Sequence, residues 1–273
     1  MSITTMPITT MSTTEASPSV ELHNPAGMGP VVLLCEHASH HIPSSYHELG
    51  LDPRHRYSHA AWDPGARELA LRLSQALDAP LVASRVSRLV YDCNRPPEAA
   101  SAMPERSEII EVPGNHQLTP DQRQARIESV YRPFCRSVTQ VIEARTERQH
   151  PTALVTVHSF TPDYHGRPRA VEIGVLHDAD SRLADAMLTQ ASHLAHRKIE
   201  RNAPYGPEDG VTHSLKLHGI GHGLPNVMLE IRNDLLSTPD AIQIMAGELL
   251  QLIEPALAEL GLTRPGPKGS HHA

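Results

Sequence analysis

Val31-Val32-Leu33-Leu34-Cys35, followed at once by Glu36-His37 and then Ala38-Ser39-His40-His41-Ile42-Pro43, decides how the rest of the chain is read. An apolar run this short, rich in β-branched residues, reads as a strand buried on both faces. It stops at a carboxylate, an imidazole and a turn. In open α/β sheets, ligands bind beyond the carboxyl ends of the strands, so Glu36 and His37 stand where a metal ion or substrate could be reached. Outward from this strand the same grammar repeats. Asp63-Pro64 reads as a helix cap with proline in the first turn, and Leu69, Leu73, Ala76 and Leu77 follow helical spacing until Pro80. Residues 81–86 then form a second strand, so the opening unit is β-α-β with parallel pairing. Residues 89–92 are expected to continue as an extended piece. Thr119-Pro120 starts another helix, carried by Ile127, Val130, Phe134, Val138 and Ile142, which Pro133 should kink or split. Strands follow at 152–157, ending in His158, and at 170–177, then a helix over 178–196. A short strand at 197–202, a strand at 226–233 and a last helix from Thr238-Pro239 to Gly261 complete the pattern. Strands alternating with helices predict an α/β fold. The expected form is a single three-layer α/β/α domain over residues 30–262, with a mostly parallel mixed sheet.

Composition narrows the function classes. The chain has 273 residues and a net charge of −7 with histidine neutral, so no basic surface invites nucleic acid. No apolar run is expected to reach the length of a membrane span, which argues against a membrane partner. Residues 1–29, rich in Thr, Ser, Met and Pro, lack both the basic start and the apolar core of a secretory signal and read as a disordered tail. Residues 263–273 read as a second, flexible tail. Cys35, Cys93 and Cys135 lie far apart and show no CxxC spacing, which suits reduced thiols and a cytoplasmic location. The 19 histidines, against 3% aromatic residues, tilt the chain toward metal or acid/base chemistry.

Three constellations could carry that chemistry. His37 and His158 each end a buried-looking strand, and a zinc site built on them needs a third ligand and an open position. Asp63, Glu36, His40 and His59 are the candidates. Asp63 also reads as a helix cap, and strand alternation points Glu36 away from the face that His37 presents. The second constellation is Arg88-Leu89-Val90-Tyr91-Asp92-Cys93-Asn94-Arg95, whose arginines and asparagine could grip an anionic substrate, or whose Asp92 could pair an arginine at the surface. The third is Glu230-Ile231-Arg232. Two charges two residues apart share one face of an apolar strand, as a mutual ion pair or as a general base beside an anion-binding group.

Taken in order, Cys35-Glu36-His37-Ala38-Ser39, Trp62-Asp63-Pro64-Gly65-Ala66, Ser87-Arg88-Leu89-Val90-Tyr91-Asp92-Cys93-Asn94-Arg95-Pro96, Val157-His158-Ser159, Asn202-Ala203-Pro204-Tyr205 and Glu230-Ile231-Arg232-Asn233-Asp234-Leu235 resemble the N-formylglutamate amidohydrolase family. The resemblance runs from Val31 to about Leu260 and rests on the ordered set. It implies a fold like the zinc carboxypeptidases and the aspartoacylase group, with a mixed eight-stranded sheet, and a zinc-dependent hydrolysis of the amide in N-formyl-L-glutamate or a related anionic N-acyl amino acid. It also implies His37 and His158 as metal ligands, Asn94-Arg95 as the pair that grips a substrate carboxylate, and Glu230 as the base. The zinc carboxypeptidases carry a glutamate three residues after their first ligand histidine. Here that position is His40, so the carboxylate ligand is expected from Asp63, ahead of Glu36. Arg88 and Arg232 are the further expected contacts to substrate.

Overall fold

The structure, a computed structural model, describes residues 18–263. Val31–Cys35 is a strand in the middle of its sheet, with all five residues buried. Neighbours on both sides and helices on both faces leave such a strand no solvent contact, which is why its sequence is uniformly apolar rather than alternating. In chain order the elements are β1 (Val20–His23), β2 (Val31–Cys35), α1 (Pro53–Arg56), α2 (Ala66–Ala76), β3 (Leu81–Ser84), a small hairpin of β4 (Arg106–Ser107) and β5 (Ile110–Glu111), then α3 (Pro120–Arg126) and α4 (Arg132–Glu147). Next come β6 (Ala153–Phe160), a second hairpin of β7 (Asp163–Tyr164) and β8 (Arg167–Pro168), β9 (Ile173–Leu176), α5 (Arg182–Thr189), β10 (Ile199–Arg201), β11 (Asn226–Arg232) and α6 (Pro239–Glu259).

The main sheet has seven strands in the order β1-β3-β2-β6-β11-β9-β10, one fewer than the family resemblance implies. Strands β3, β2, β6 and β11 are parallel, while β1 and β9 pair antiparallel with β3 and β11. One face buries Leu33, Cys35, Val155, Val157 and Leu229 against α2, α5 and α6. The other buries Val32, Leu34, Val82 and Leu154 against Phe134, Val138 and Ile142 of α4. The result is the expected three-layer α/β/α domain.

Four departures from the sequence reading have local causes. Val20–His23, inside the stretch read as a tail, adds an antiparallel edge strand beside β3; the rest of that tail up to residue 17, and residues 264–273, lie outside the described residues. Residues 89–92 are a turn followed by irregular chain rather than a strand, because Ser87 captures the chain: its carbonyl accepts from Val90 N–H at 2.9 Å and its hydroxyl from Leu89 N–H at 3.2 Å. Asp63 does not cap α2. The cap is Gly65, with φ +80°, where a Cβ would sit 2.4 Å from the Leu236 side chain, so the Asp63 carboxylate is released toward the sheet edge. Finally, α6 has the length and apolar content of a membrane span, but its Met245, Leu249, Leu252 and Ile253 are buried in the core. Pro133 acts as expected: the helix divides at a π-helical turn, Ile127–Tyr131, that widens the ladder just where the proline ring would clash.

Candidate active site

The sheet delivers its chemistry at the carboxyl ends of parallel strands. His37 follows β2, His158 lies near the end of β6, and Glu230 is the register partner of His158 on β11. The Asp63 amide donates to the His37 carbonyl at 3.0 Å, which fastens the loop before α2 to the end of β2. Three donor atoms converge there. His37 Nδ1 lies 3.2 Å and His158 Nδ1 2.9 Å from Asp63 Oδ2, and the two nitrogens are 3.1 Å apart. All three side chains are buried and together could hold a metal ion. A tetrahedral zinc ion with bonds of about 2.0–2.1 Å sets its donors about 3.3 Å apart, so the triangle has the right size.

The outer nitrogens explain why the inner ones converge. His37 Nε2–H donates to Asp92 Oδ1 at 2.7 Å, and His158 Nε2 meets Glu36 Oε2 at 3.2 Å. The Asp92 carboxylate behind His37 fixes that ring's tautomer and turns its Nδ1 lone pair inward, as second partners do for metal-ligating histidines, while Glu36 stands behind His158 at ion-pair distance without a regular hydrogen bond. Two lone pairs and a carboxylate oxygen facing one another need a cation between them. The electrostatics carry the same demand. Burial alone would lower the His158 pKa, but Glu36 and Asp63 drive it well above the ordinary histidine value, so the acids around the triangle favour positive charge there. Burial would raise the Asp63 and Asp92 carboxyls; His37 above all, with His158 or Arg88, holds both well below the usual range. The residues present fit a divalent metal.

Glu230 is different. Burial pushes its carboxyl up to about 7, opposed by His158 and reinforced by Asp63, and no described side chain or amide hydrogen-bonds to it. It faces a pocket of about 210 Å³ that also exposes His37, Asp63, Arg88, Asn94 and Arg95. That volume is below the ~300–1,000 Å³ typical of drug-sized ligands, which suits a small metabolite better than a peptide.

The expected substrate contacts divide. Arg95 lines the pocket with no carboxylate in ion-pair range among the described residues, and its Nη1 donates to the Asn94 carbonyl at 3.0 Å. Arg88 also lines it, but its guanidinium braces Asp92 at 3.0 Å and Asp63 at 3.4 Å. Asn94 is present with its amide committed: Nδ2 donates to Val211 O at 2.6 Å, and Oδ1 accepts from Ser214 N–H at 2.9 Å. Arg232 is a correction. It leaves the pocket wall, held by Asp234 at 2.8 Å with Glu172 at 3.9 Å, because the chain turns after β11 and carries a closer acid to it. Of the other ligand candidates, His40 packs against Tyr57 and Trp62, and His59 pairs with Glu108 at the pocket rim. Sequence reading missed Asp92 as the partner of His37. The signal available was an acid flanked by Arg88 and Arg95 in a segment too polar for a core strand.

A mixed α/β sheet with histidines and carboxylates gathered at the carboxyl ends of its central strands defines an α/β protein with a His-Asp-His cluster that could hold a metal ion beside a buried carboxyl. The chain belongs to the N-formylglutamate amidohydrolase family, whose profile matches residues 29–237. Gene product Atu2144 from Agrobacterium tumefaciens is 52% identical, with a TM-score of 0.87 over 89% of this chain and 96% of that one. N-formylglutamate amidohydrolase from Ralstonia eutropha JMP134 shares the fold at 19% identity, with a TM-score of 0.63 over 89% and 99% of the two chains. No curated protein matches the chain.

Proposed function

We propose that this amidohydrolase cleaves the formyl amide of N-formyl-L-glutamate, or of a closely related anionic N-acyl amino acid, using zinc held by His37, Asp63 and His158. The observation that carries the reading is the donor triangle, 2.9–3.2 Å on a side, beside a buried glutamate held near neutrality. A divalent ion in that triangle supplies Lewis acidity toward the scissile carbonyl and toward water. Glu230 takes the proton from the attacking water and returns it to the leaving amine, a task for which a pKa near the working pH is best matched. Arg95 holds a substrate carboxylate, and the Asn94 side chain, tied to the 211–214 segment, fixes the loop that presents it. Arg88 balances Asp63 and Asp92 and offers its remaining donor capacity to the oxyanion. A cytoplasmic location belongs to the same proposal, supported by three free thiols.

Formate release from N-formyl-L-glutamate, measured together with bound zinc, tests the assignment. His158→Ala should lose both metal and turnover. Glu230→Gln should keep the metal and slow about 10²–10⁴-fold, the usual worth of a general base. Turnover at the wild-type rate in metal-loaded Glu230→Gln would remove Glu230 from the role.

A further inference from the structure

A dicarboxylic substrate needs two cations that the protein has not already neutralised. Arg88 is shared by two aspartates and Arg232 is taken by Asp234 and Glu172, which leaves Arg95 as a lone guanidinium on the pocket wall. A second exists. Arg169 follows the β7–β8 hairpin, and its guanidinium carbon lies 4.3 Å from the Tyr164 ring centroid, 4.7 Å from Tyr205 and 5.5 Å from Phe160. All three rings line the pocket. Among the described residues no carboxylate lies within ion-pair distance of Arg169; its one side-chain hydrogen bond is from Nη1 to the Tyr205 hydroxyl, at 2.9 Å.

The backbone at Arg169 is also held on both sides. Its N–H donates to the Pro162 carbonyl at 2.8 Å, and its carbonyl accepts from Arg232 Nη1 at 3.1 Å. Arg232, displaced from the pocket, thus clamps the segment that carries the other arginine. Faces of aromatic rings stabilise a guanidinium while leaving its donor fork free, and the fork matches a carboxylate.

Building on the proposed hydrolysis of an anionic N-acyl amino acid, we propose that Arg169 selects the side-chain carboxylate of a dicarboxylic substrate, with Arg95 holding the α-carboxylate. The allocation follows from chain geometry. The α-carboxylate is attached to the carbon that bears the amide and must stay close to the donor triangle. Arg95 is three residues from Asp92, which touches His37. Arg169 meets the pocket only through its aromatic wall, which suits the far end of the substrate.

The test compares kcat/KM for N-formyl-L-glutamate and N-formyl-L-glutamine in the wild type, Arg169→Gln and Arg169→Lys. The wild type should favour the glutamate substrate. Arg169→Gln should lose about 10- to 100-fold on it, the worth of a charged hydrogen-bonded pair, with the glutamine substrate unchanged, and Arg169→Lys should recover part of the loss. An unchanged preference in Arg169→Gln, or an equal loss on both substrates, overturns the assignment. Calorimetric binding of glutarate against butyrate judges Arg169 without turnover. A glutarate margin present in the wild type and absent in Arg169→Gln supports the assignment; no margin in the wild type, or the same margin in both proteins, overturns it. If no formyl amide is hydrolysed, the proposed reaction fails on its own assay, and the binding margin still decides the role of Arg169.

Discussion

Asp92 shows how much one side chain outside the donor triangle controls. Its two oxygens are divided between His37 Nε2 at 2.7 Å and Arg88 Nη2 at 3.0 Å, and Oδ1 also accepts the Asn94 amide at 2.9 Å. His37 first and Arg88 next keep the carboxylate ionised against the cost of burial, and the ionised carboxylate keeps the His37 proton on Nε2, which leaves Nδ1 free to ligate. Asp92→Asn preserves the shape and removes the charge. We expect zinc affinity to fall about 10- to 100-fold, measured by competition with a chromophoric chelator, and turnover to return when zinc is added in excess. Loss of turnover at full zinc occupancy would instead place Asp92 in the reaction itself. Glu36 plays the matching part for His158, more weakly, since its 3.2 Å contact is less well aligned and neither of its oxygens makes a regular hydrogen bond.

At the level of elements, the two ends of the sheet do different work, and a substitution can separate them. Arg145 on α4 is buried at the amino ends of β2 and β6, where it donates to the carbonyls of Gly27, Gly29 and Pro151 and to the Thr152 hydroxyl. Arg145→Met strands those acceptors far from the catalytic edge. The expected cost is about 3 kcal/mol of stability, read as a lower urea midpoint, with kcat/KM per folded molecule unchanged. The same division explains what the sequence made legible. His37, His158 and Glu230 could be read because each stands near the end of an apolar run, and an apolar run in an α/β chain reports its own burial and its own terminus. Asp63 was ambiguous because a cap and a ligand look alike until Gly65 is seen to take over the capping position. Arg169 and the displacement of Arg232 were not legible. Both depend on how the loop after β6 and the turn after β11 close on each other, through the Arg232 hydrogen bond to the Arg169 carbonyl, and no period in either segment encodes a contact 63 residues away in sequence.

Across the whole molecule, the site joins five separate stretches, the ends of β2, β6 and β11, the loop before α2 and residues 88–95, and packs their charges in a buried volume, so its ionisation is coupled to folding. In the metal-free protein the signs differ by group. Asp63 and Asp92, held below the ordinary 3.8, stabilise the fold above that value and lose the contribution as pH falls through their folded values. His158, raised above 6.5, contributes fully below that pH and loses the contribution as pH rises through its folded value. Glu230, raised from 4.5 to about 7, contributes fully below 4.5 and loses the contribution as pH rises through about 7, because burial of its charged form outweighs the attraction of His158, His37 and Arg88. The metal-free protein should therefore be less stable at pH 8 than at pH 6, with Glu230 accounting for up to about 3 kcal/mol of the fall from its acid plateau. A cation in the triangle reverses both alkaline losses: it replaces the His158 proton and favours the ionised Glu230, and at a hundred times its dissociation constant it adds about 2.7 kcal/mol. Urea melts at pH 6 and pH 8, with chelator and with zinc, measure this directly. Zinc should flatten the pH dependence, and Glu230→Gln should flatten part of it even in chelator. An identical alkaline fall in the metal-free wild type and Glu230→Gln would mean that the buried glutamate does not govern it.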